Sequence, residues 1–231
     1  MAKGVIITAD KIKKQKRLFQ LLKLSTVVTF GGMFTVFTVL NMVYNGGKFS
    51  INLEKELKEE KSIALYEDPI SKQSARKLYA EDLEYMDNIS INWIPENIHD
   101  EKDGAHNGLN YIAYTFYLEN QGEEDVDYWY TVYIDDVIKN VDKAIRIIVY
   151  RNDEKIVYAK KNEDTNEPEK DTKMFYSDEI AVLEKVSNFK PEQVDKFTIV
   201  VFIEGDDPDC VNQLIGGEIQ IHMEITAEKK I

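Results

Sequence analysis

From Leu24 to Tyr44 the chain reads LSTVVTFGGMFTVFTVLNMVY, 21 residues without a charge. At about 1.5 Å of rise per residue, a helix of this length reaches roughly 30 Å, the hydrocarbon thickness of a bilayer. Its polar members include the small hydroxyls Ser25, Thr26, Thr29, Thr35 and Thr38, which can return a hydrogen bond to the preceding helical turn. Asn41 and Tyr44 fall near its end, where interfacial residues belong. The segment therefore predicts a transmembrane helix. A buried helix of a soluble protein is the competing reading, disfavoured by the charged flank and the lack of a polar stripe.

Charge divides at this segment. The chain as a whole carries −13. Residues 1–23 hold seven basic side chains (Lys3, Lys11, Lys13, Lys14, Lys16, Arg17 and Lys23) against Asp10, a net of +6, which leaves −19 on the rest. Basic residues beside a span stay on the cytoplasmic side. Lys11, Lys13, Lys14, Lys16, Arg17 and Lys23 thus set the expected topology, with the N-terminus cytoplasmic and everything after Tyr44 extracytoplasmic in a single-pass cell-membrane protein. The alternative is a secreted protein released by signal cleavage. Cutting after Gly46 or Gly47 puts Tyr44 or Asn45 at −3, where a small residue is wanted. An uncleaved anchor is the better reading. The acidic ectodomain argues against nucleic acid as a partner, and one cysteine excludes an internal disulfide or a multi-cysteine zinc site.

Beyond the span, four regions are expected: a basic tail (1–23), the span (24–44), a helical stalk (45–88) and an extracytoplasmic β-domain (89–231). In the stalk, Ser50 is placed to cap a short charged helix reaching about Lys61. Asp68-Pro69 has the form of a helix start, followed by an apolar stripe at Ala75, Leu78, Tyr79, Leu83 and Met86. From Ile89 the period becomes two. Strands are expected at Ile89–Ile94, Tyr111–Glu119, Val126–Asp135, Ile180–Val186, Phe197–Ile203 and Glu218–Thr226, with a hairpin of Ile145–Arg151 and Glu154–Lys160 around Asn152-Asp153. Asp207-Pro208 is expected to open a short helix that stops at Gly216-Gly217. About eight strands, most with one wet face, predict a mainly β protein, an antiparallel β-sandwich or jelly roll.

Candidates for chemistry are few. Glu204, Asp206, Asp207 and Asp209 form a dense acidic knot, EGDDPD, of the hard oxygen type that binds Ca²⁺. Helix capping by Asp207 explains the same residues. His99, Asp103 and His106 lie in HDEKDGAH, where imidazole and carboxylate ligands crowd one loop, although the spacing matches neither HExxH nor an EF-hand. Cys210 stands near the expected helix N-terminus, a position that lowers a thiol pKa, but it has no paired His or Cys signal. Trp129 and Tyr133 fall on the outward face of their strand and suggest a contact surface for carbohydrate, a partner domain or another copy. No nucleophile elbow, Walker or dinucleotide fingerprint is present.

Three stretches, YTFYLENQGEEDVDYWYTVYIDDV, VDKAIRIIVYRNDEKIVYAK and DKFTIVVFIEGDDPDCVNQLIGGEIQIHMEI, together resemble the TasA/camelysin group of exported surface and matrix proteins of Gram-positive bacteria. The resemblance covers roughly residues 111–226. It implies a jelly-roll-like sandwich, a surface or matrix location and, for some relatives, assembly into fibres. Camelysin-type members carry a metallopeptidase label, which has no HExxH to rest on in this chain. The sequence thus points to a non-enzymatic, membrane-anchored protein whose β-domain binds or assembles, with no resident cofactor. The alternative is a membrane-tethered metal-dependent hydrolase using the His99–His106 loop.

Overall fold

The computed structural model describes residues 9–44, 49–83 and 85–228 and divides into two units, Met1–Gly47 and Lys48–Ile231. In the first, helix α1 (Ala9–Tyr44) runs for 36 residues. The expected span is thus the C-terminal part of a longer helix that begins in the basic tail. Within it, Lys13–Val39 is long and apolar enough to cross a membrane, and every side chain in that stretch is exposed. The hydroxyls fold back as expected: Thr29 Oγ1 donates to Ser25 O at 2.8 Å and Thr35 Oγ1 to Gly31 O at 2.6 Å. Lys13, Lys14, Lys16, Arg17 and Lys23 lie exposed on this helix. The Lys11 side chain and the Gly46-Gly47 break fall outside the described residues.

The second unit is built on strands. In chain order these are β1 (Ser50–Leu53), β2 (Ile63–Tyr66), β3 (Lys77–Tyr79), β4 (Gly104–Ala105), β5 (Tyr111–Asn120) and β6 (Val126–Ile138). There follow β7 (Ile145–Arg151), β8 (Glu154–Ala159), β9 (Lys173–Met174), β10 (Ile180–Phe189), β11 (Val194–Ile203) and β12 (Glu218–Thr226). Short helices α2 (Lys55–Glu59) and α3 (Ile98–Glu101) interrupt them. One sheet has the order β10-β6-β12-β1-β3, and the other β2-β5-β11-β7-β8-β9 with β4 also paired to β5. Both sheets are mixed, because β1 runs parallel to β12 and β9 parallel to β8. The wholly antiparallel arrangement expected from the sequence is corrected on these two pairs.

The sheets share one core. Tyr128, Tyr130, Val132, Ile221, Met223 and Ile51 from the first meet Tyr114, Phe116, Phe197, Ile199 and Ile147 from the second. Period-two alternation is what places these residues on one side of each strand. Polar tips inside this core are satisfied. Tyr128 Oη donates to Asp195 Oδ2 at 2.5 Å, and Tyr158 Oη to Glu184 Oε1 at 3.1 Å. The second sheet is also covered on its far side. There Ile89, Ile94 and Ile98 pack on Ala113, Ile148, Tyr150, Val200 and Phe202. Burial on both faces explains why β7 and β11 read as nearly continuous apolar runs rather than alternating ones.

Several local expectations fail. The helical stalk is not formed: residues 50–79 supply β1, β2 and β3 to the two sheets. Ser50 begins β1 rather than capping a helix, and only Lys55–Glu59 of the first expected helix forms. Asp68 does cap, its carboxylate accepting from the N–H groups of Ile70 (2.8 Å) and Ser71 (3.3 Å), but it closes a turn instead of opening a helix. The tertiary demand is visible at β3, which pairs with β1 and sends Leu78 inward while Lys77 and Tyr79 point out. Ile89–Ile94 is likewise not a strand. Ile89 makes one bridge to Glu204, and Ile91–Trp93 is a 3-10 turn capped by Ser90. After Asp207-Pro208 the only helical turn among the described residues is 3-10, at Asn212–Leu214.

Candidate functional site

The acidic knot is taken apart by the fold. Asp207 is buried and faces the equally buried Arg146 guanidinium of β7, Nη2 to Oδ2 at 2.5 Å. Its other oxygen accepts from the Asp209 N–H at 2.7 Å. Glu204 accepts from the N–H groups of Ile91 (3.0 Å) and Asp206 (3.1 Å), and Asp206 Oδ2 accepts from Ser90 Oγ at 2.7 Å. Asp209 Oδ2 accepts from the Glu163 N–H at 3.2 Å. Glu204 and Asp206 thus lock the covering segment onto the sheet, while Asp207 neutralises an arginine. The carboxylates that do converge are Glu169, Asp207 and Asp209, whose oxygens lie within 4.8 Å of one another. Arg146 already supplies the positive charge there. Of the Ca²⁺ candidates Glu204, Asp206, Asp207 and Asp209, the fold commits the first two to structural bonds and keeps Asp207 and Asp209 together, beside Glu169.

The histidine loop is likewise dispersed. His99, on α3, stacks on Tyr150 with ring centres 4.7 Å apart, and its Nε2 is 3.3 Å from Asp100 Oδ2. Asp103 Oδ1 accepts from Tyr117 Oη at 2.5 Å. His106 contacts Gly104 O through Nδ1 at 2.8 Å. His99 Nδ1 and His106 Nε2 are buried without a hydrogen-bond partner. Among the described residues, no third ligand gathers with these imidazoles to make a metal-binding group. Cys210 is half-buried, and burial together with the Asp207 charge raises its pKa, the opposite of an activated thiol.

What the strands do assemble is a polar and aromatic face on the outer side of the five-stranded sheet. Register aligns Tyr133 of β6, His222 of β12, Ser50 of β1 and Tyr79 of β3 in one cross-strand row. The neighbouring row is Leu183, Thr131, Glu224, Asn52 and Lys77. Trp129 follows, opposite Lys185 and Thr226. Tyr133 and His222 stack at 4.9 Å, and His222 Nδ1 meets Asp135 Oδ2 at 2.7 Å. Trp129 and Tyr133 are half-buried, whereas Tyr79 is 53% exposed with the Lys77 ammonium 4.9 Å from its ring centre. A cleft of about 460 Å³ adjoins the face, lined in part by Asn52, Lys55, Arg76, Lys77, Glu224 and Thr226. Sequence reading found Trp129 and Tyr133 by alternation. It missed Tyr79, Lys77 and Arg76, because a three-residue strand has too few positions to show a period.

No known protein family matches the sequence, and no curated protein does. Among solved structures, the β-glucosidase of Kluyveromyces marxianus in complex with glucose is similar at 16% identity and a TM-score of 0.26, over 73% of this chain and 15% of that one. The selenomethionine-labelled form of that enzyme gives 17% identity and a TM-score of 0.25, over 73% of this chain and 16% of that one. Likenesses this distant carry no argument about fold or activity.

Proposed function

We propose that this is a single-pass membrane protein, N-terminus cytoplasmic, whose extracytoplasmic β-domain binds or assembles rather than catalyses. The observation that carries the reading is the bare apolar surface of α1. Leu18, Phe19, Leu22, Val28, Phe30, Phe34 and Phe37 are each at least 55% exposed. Burying such a side chain is worth about 1.5–3 kcal/mol, so a helix with this surface belongs in lipid. The basic residues at its start support a cytoplasmic tail. The stacking of His99 on Tyr150 and the hydrogen bond that Asp103 accepts from Tyr117 support a binding role over a hydrolytic one. Kinship with the TasA/camelysin group, with its jelly-roll order and self-assembly, is part of the same proposal and rests on the three stretches quoted above.

Protease treatment of intact cells tests the topology. An epitope at the C-terminus should be destroyed while one at the N-terminus survives. Protection of both epitopes overturns the reading, and recovery from the medium of a chain starting near Gly46 replaces the anchor by a secreted protein. The hydrolase alternative draws on the two unpartnered imidazole nitrogens of His99 and His106. Stoichiometric zinc in the purified full chain, lost together with peptidase activity on His99→Ala, would establish it.

A further inference from the structure

We propose that the outer face of the five-stranded sheet binds an acidic polysaccharide, its sugar rings lying on the aromatic side chains and its carboxylates meeting Arg76 and Lys77. The inference deepens the binding role proposed above and depends on it. Three interstrand steps separate β6 from β3, so the Tyr133–His222–Ser50–Tyr79 row spans about 14 Å, an elongated platform suited to a chain of rings rather than a single small molecule. At one end Tyr79, 53% exposed, offers flat apolar surface to the C–H face of a sugar, and at the other stands the half-buried Tyr133, stacked on His222. Between them and in the next row, the half-buried Asn52, His222 and Glu224 supply the mixed donors and acceptors that hydroxyl groups require, over the buried Ser50.

The charge of the ligand follows from the adjoining cleft. Arg76 and Lys77 are exposed there, and among the described residues neither forms an ion pair with a carboxylate. The chain around them has 42 acidic side chains against 29 basic ones. With Lys55 they set three cations against the carboxylates of Glu54 and Glu224 in the lining, so an external anion is locally favoured there. Carboxylate suits the guanidinium fork of Arg76. The Lys77 ammonium beside the Tyr79 ring joins the charge site to the stacking site, so a polymer carrying a carboxylate on each ring engages both at once. Repulsion from the remaining acids is screened beyond about 8 Å at physiological salt, which leaves the contact residues to decide affinity.

The test uses the full chain in detergent micelles, immobilised and exposed to polygalacturonate, alginate and hyaluronan, with dextran and carboxyl-reduced alginate as neutral polymers. Binding of at least one uronic-acid polymer is expected, with none of the neutral ones. Tyr79→Ala and the pair Arg76→Gln/Lys77→Gln should each weaken it about tenfold or more, with the melting temperature unchanged because all three side chains are exposed. Failure of all three acidic polymers to bind, equal binding of the neutral ones, or indifference to the substitutions overturns the proposal. Protease access on intact cells reports on the anchor independently, so a surface-exposed chain that ignores these polymers sinks this inference and leaves the topology standing.

Discussion

Replacing Arg146 with methionine strands the Asp207 carboxylate inside the protein. The pair is 6% and 0% exposed at its two side chains, with 2.5 Å between Nη2 and Oδ2. Removing one member of such a pair leaves an uncompensated buried charge, at a cost of about 3–5 kcal/mol. For a domain of this size each kcal/mol lowers the melting temperature by about 2–4 °C, so Arg146→Met should lower it by about 6–20 °C. The second substitution, Asp207→Asn, removes the charge and keeps an oxygen for the Asp209 N–H, which donates to it at 2.7 Å. Asp207→Asn alone should destabilise comparably by leaving Arg146 unpaired, whereas the double variant should recover most of the loss. Melting followed by near-ultraviolet circular dichroism in the tryptophan band is the suitable assay, because both tryptophans, Trp93 and Trp129, lie in the β-domain and none in α1. Two results would refute the reasoning: single variants within about 1 kcal/mol of the parent, or a double variant as unstable as the sum of the singles. The same melts bear on Ca²⁺. Millimolar Ca²⁺ should leave the parent's transition where it is, and a stabilising shift that vanishes in Asp207→Asn would restore the cation reading.

Two further outcomes are expected. Burial, with Glu119 adding to it, pushes the Tyr66 phenol up to about 12. Burial and nearby acids likewise raise Tyr114, Tyr117, Tyr128, Tyr130 and Tyr158 above the ordinary value of 10. Groups that hold their protons more tightly when folded stabilise fully below the unfolded pKa of about 10, and that contribution is lost as pH rises through the folded values. Absorbance of phenolate at 295 nm should therefore show these rings silent at pH 10 and ionising together with unfolding; full ionisation of an intact fold contradicts the burial argument. Thr131 is 1% exposed and its hydroxyl has no partner. Thr131→Val removes an unsatisfied polar atom and should stabilise by about 1 kcal/mol, a gain that a urea titration would measure and a loss would refute.

The long strands were legible because alternation survives wherever one face is wet. Glu218–Thr226 was read with its bounds correct, and the Asn152 turn of the β7–β8 hairpin takes the positive φ of 55° that asparagine tolerates. Residues 50–79 were illegible for a physical reason. Their strands are three or four residues long, and β1 owes its existence to pairing with β12, which lies some 170 positions away. Spacing such as Ala75, Tyr79, Leu83, Met86 satisfies a helical period locally, and only the distant partner decides against it. The acidic knot hides a partner for the same reason. Asp207 faces Arg146, 61 positions earlier in the chain, where no local pattern connects the two.

The place of β12 between β6 and β1 has a consequence for how the domain is made. The last of the described strands is an interior one, so a chain released before residue 226 leaves β1 and β3 with nothing to join and β6 with a bare edge. Folding of this sheet must wait until β12 has emerged, unlike domains that fold from the N-terminus as they appear. The joining of first strand to last also makes the decisive contacts distant in sequence, which slows folding. Until then, open strand edges and apolar faces are exposed outside the membrane if the topology is as proposed, and the early strands depend on remaining soluble. The acids strewn along those strands and loops serve that interval, keeping like chains apart until the nine residues of β12 close the sheet.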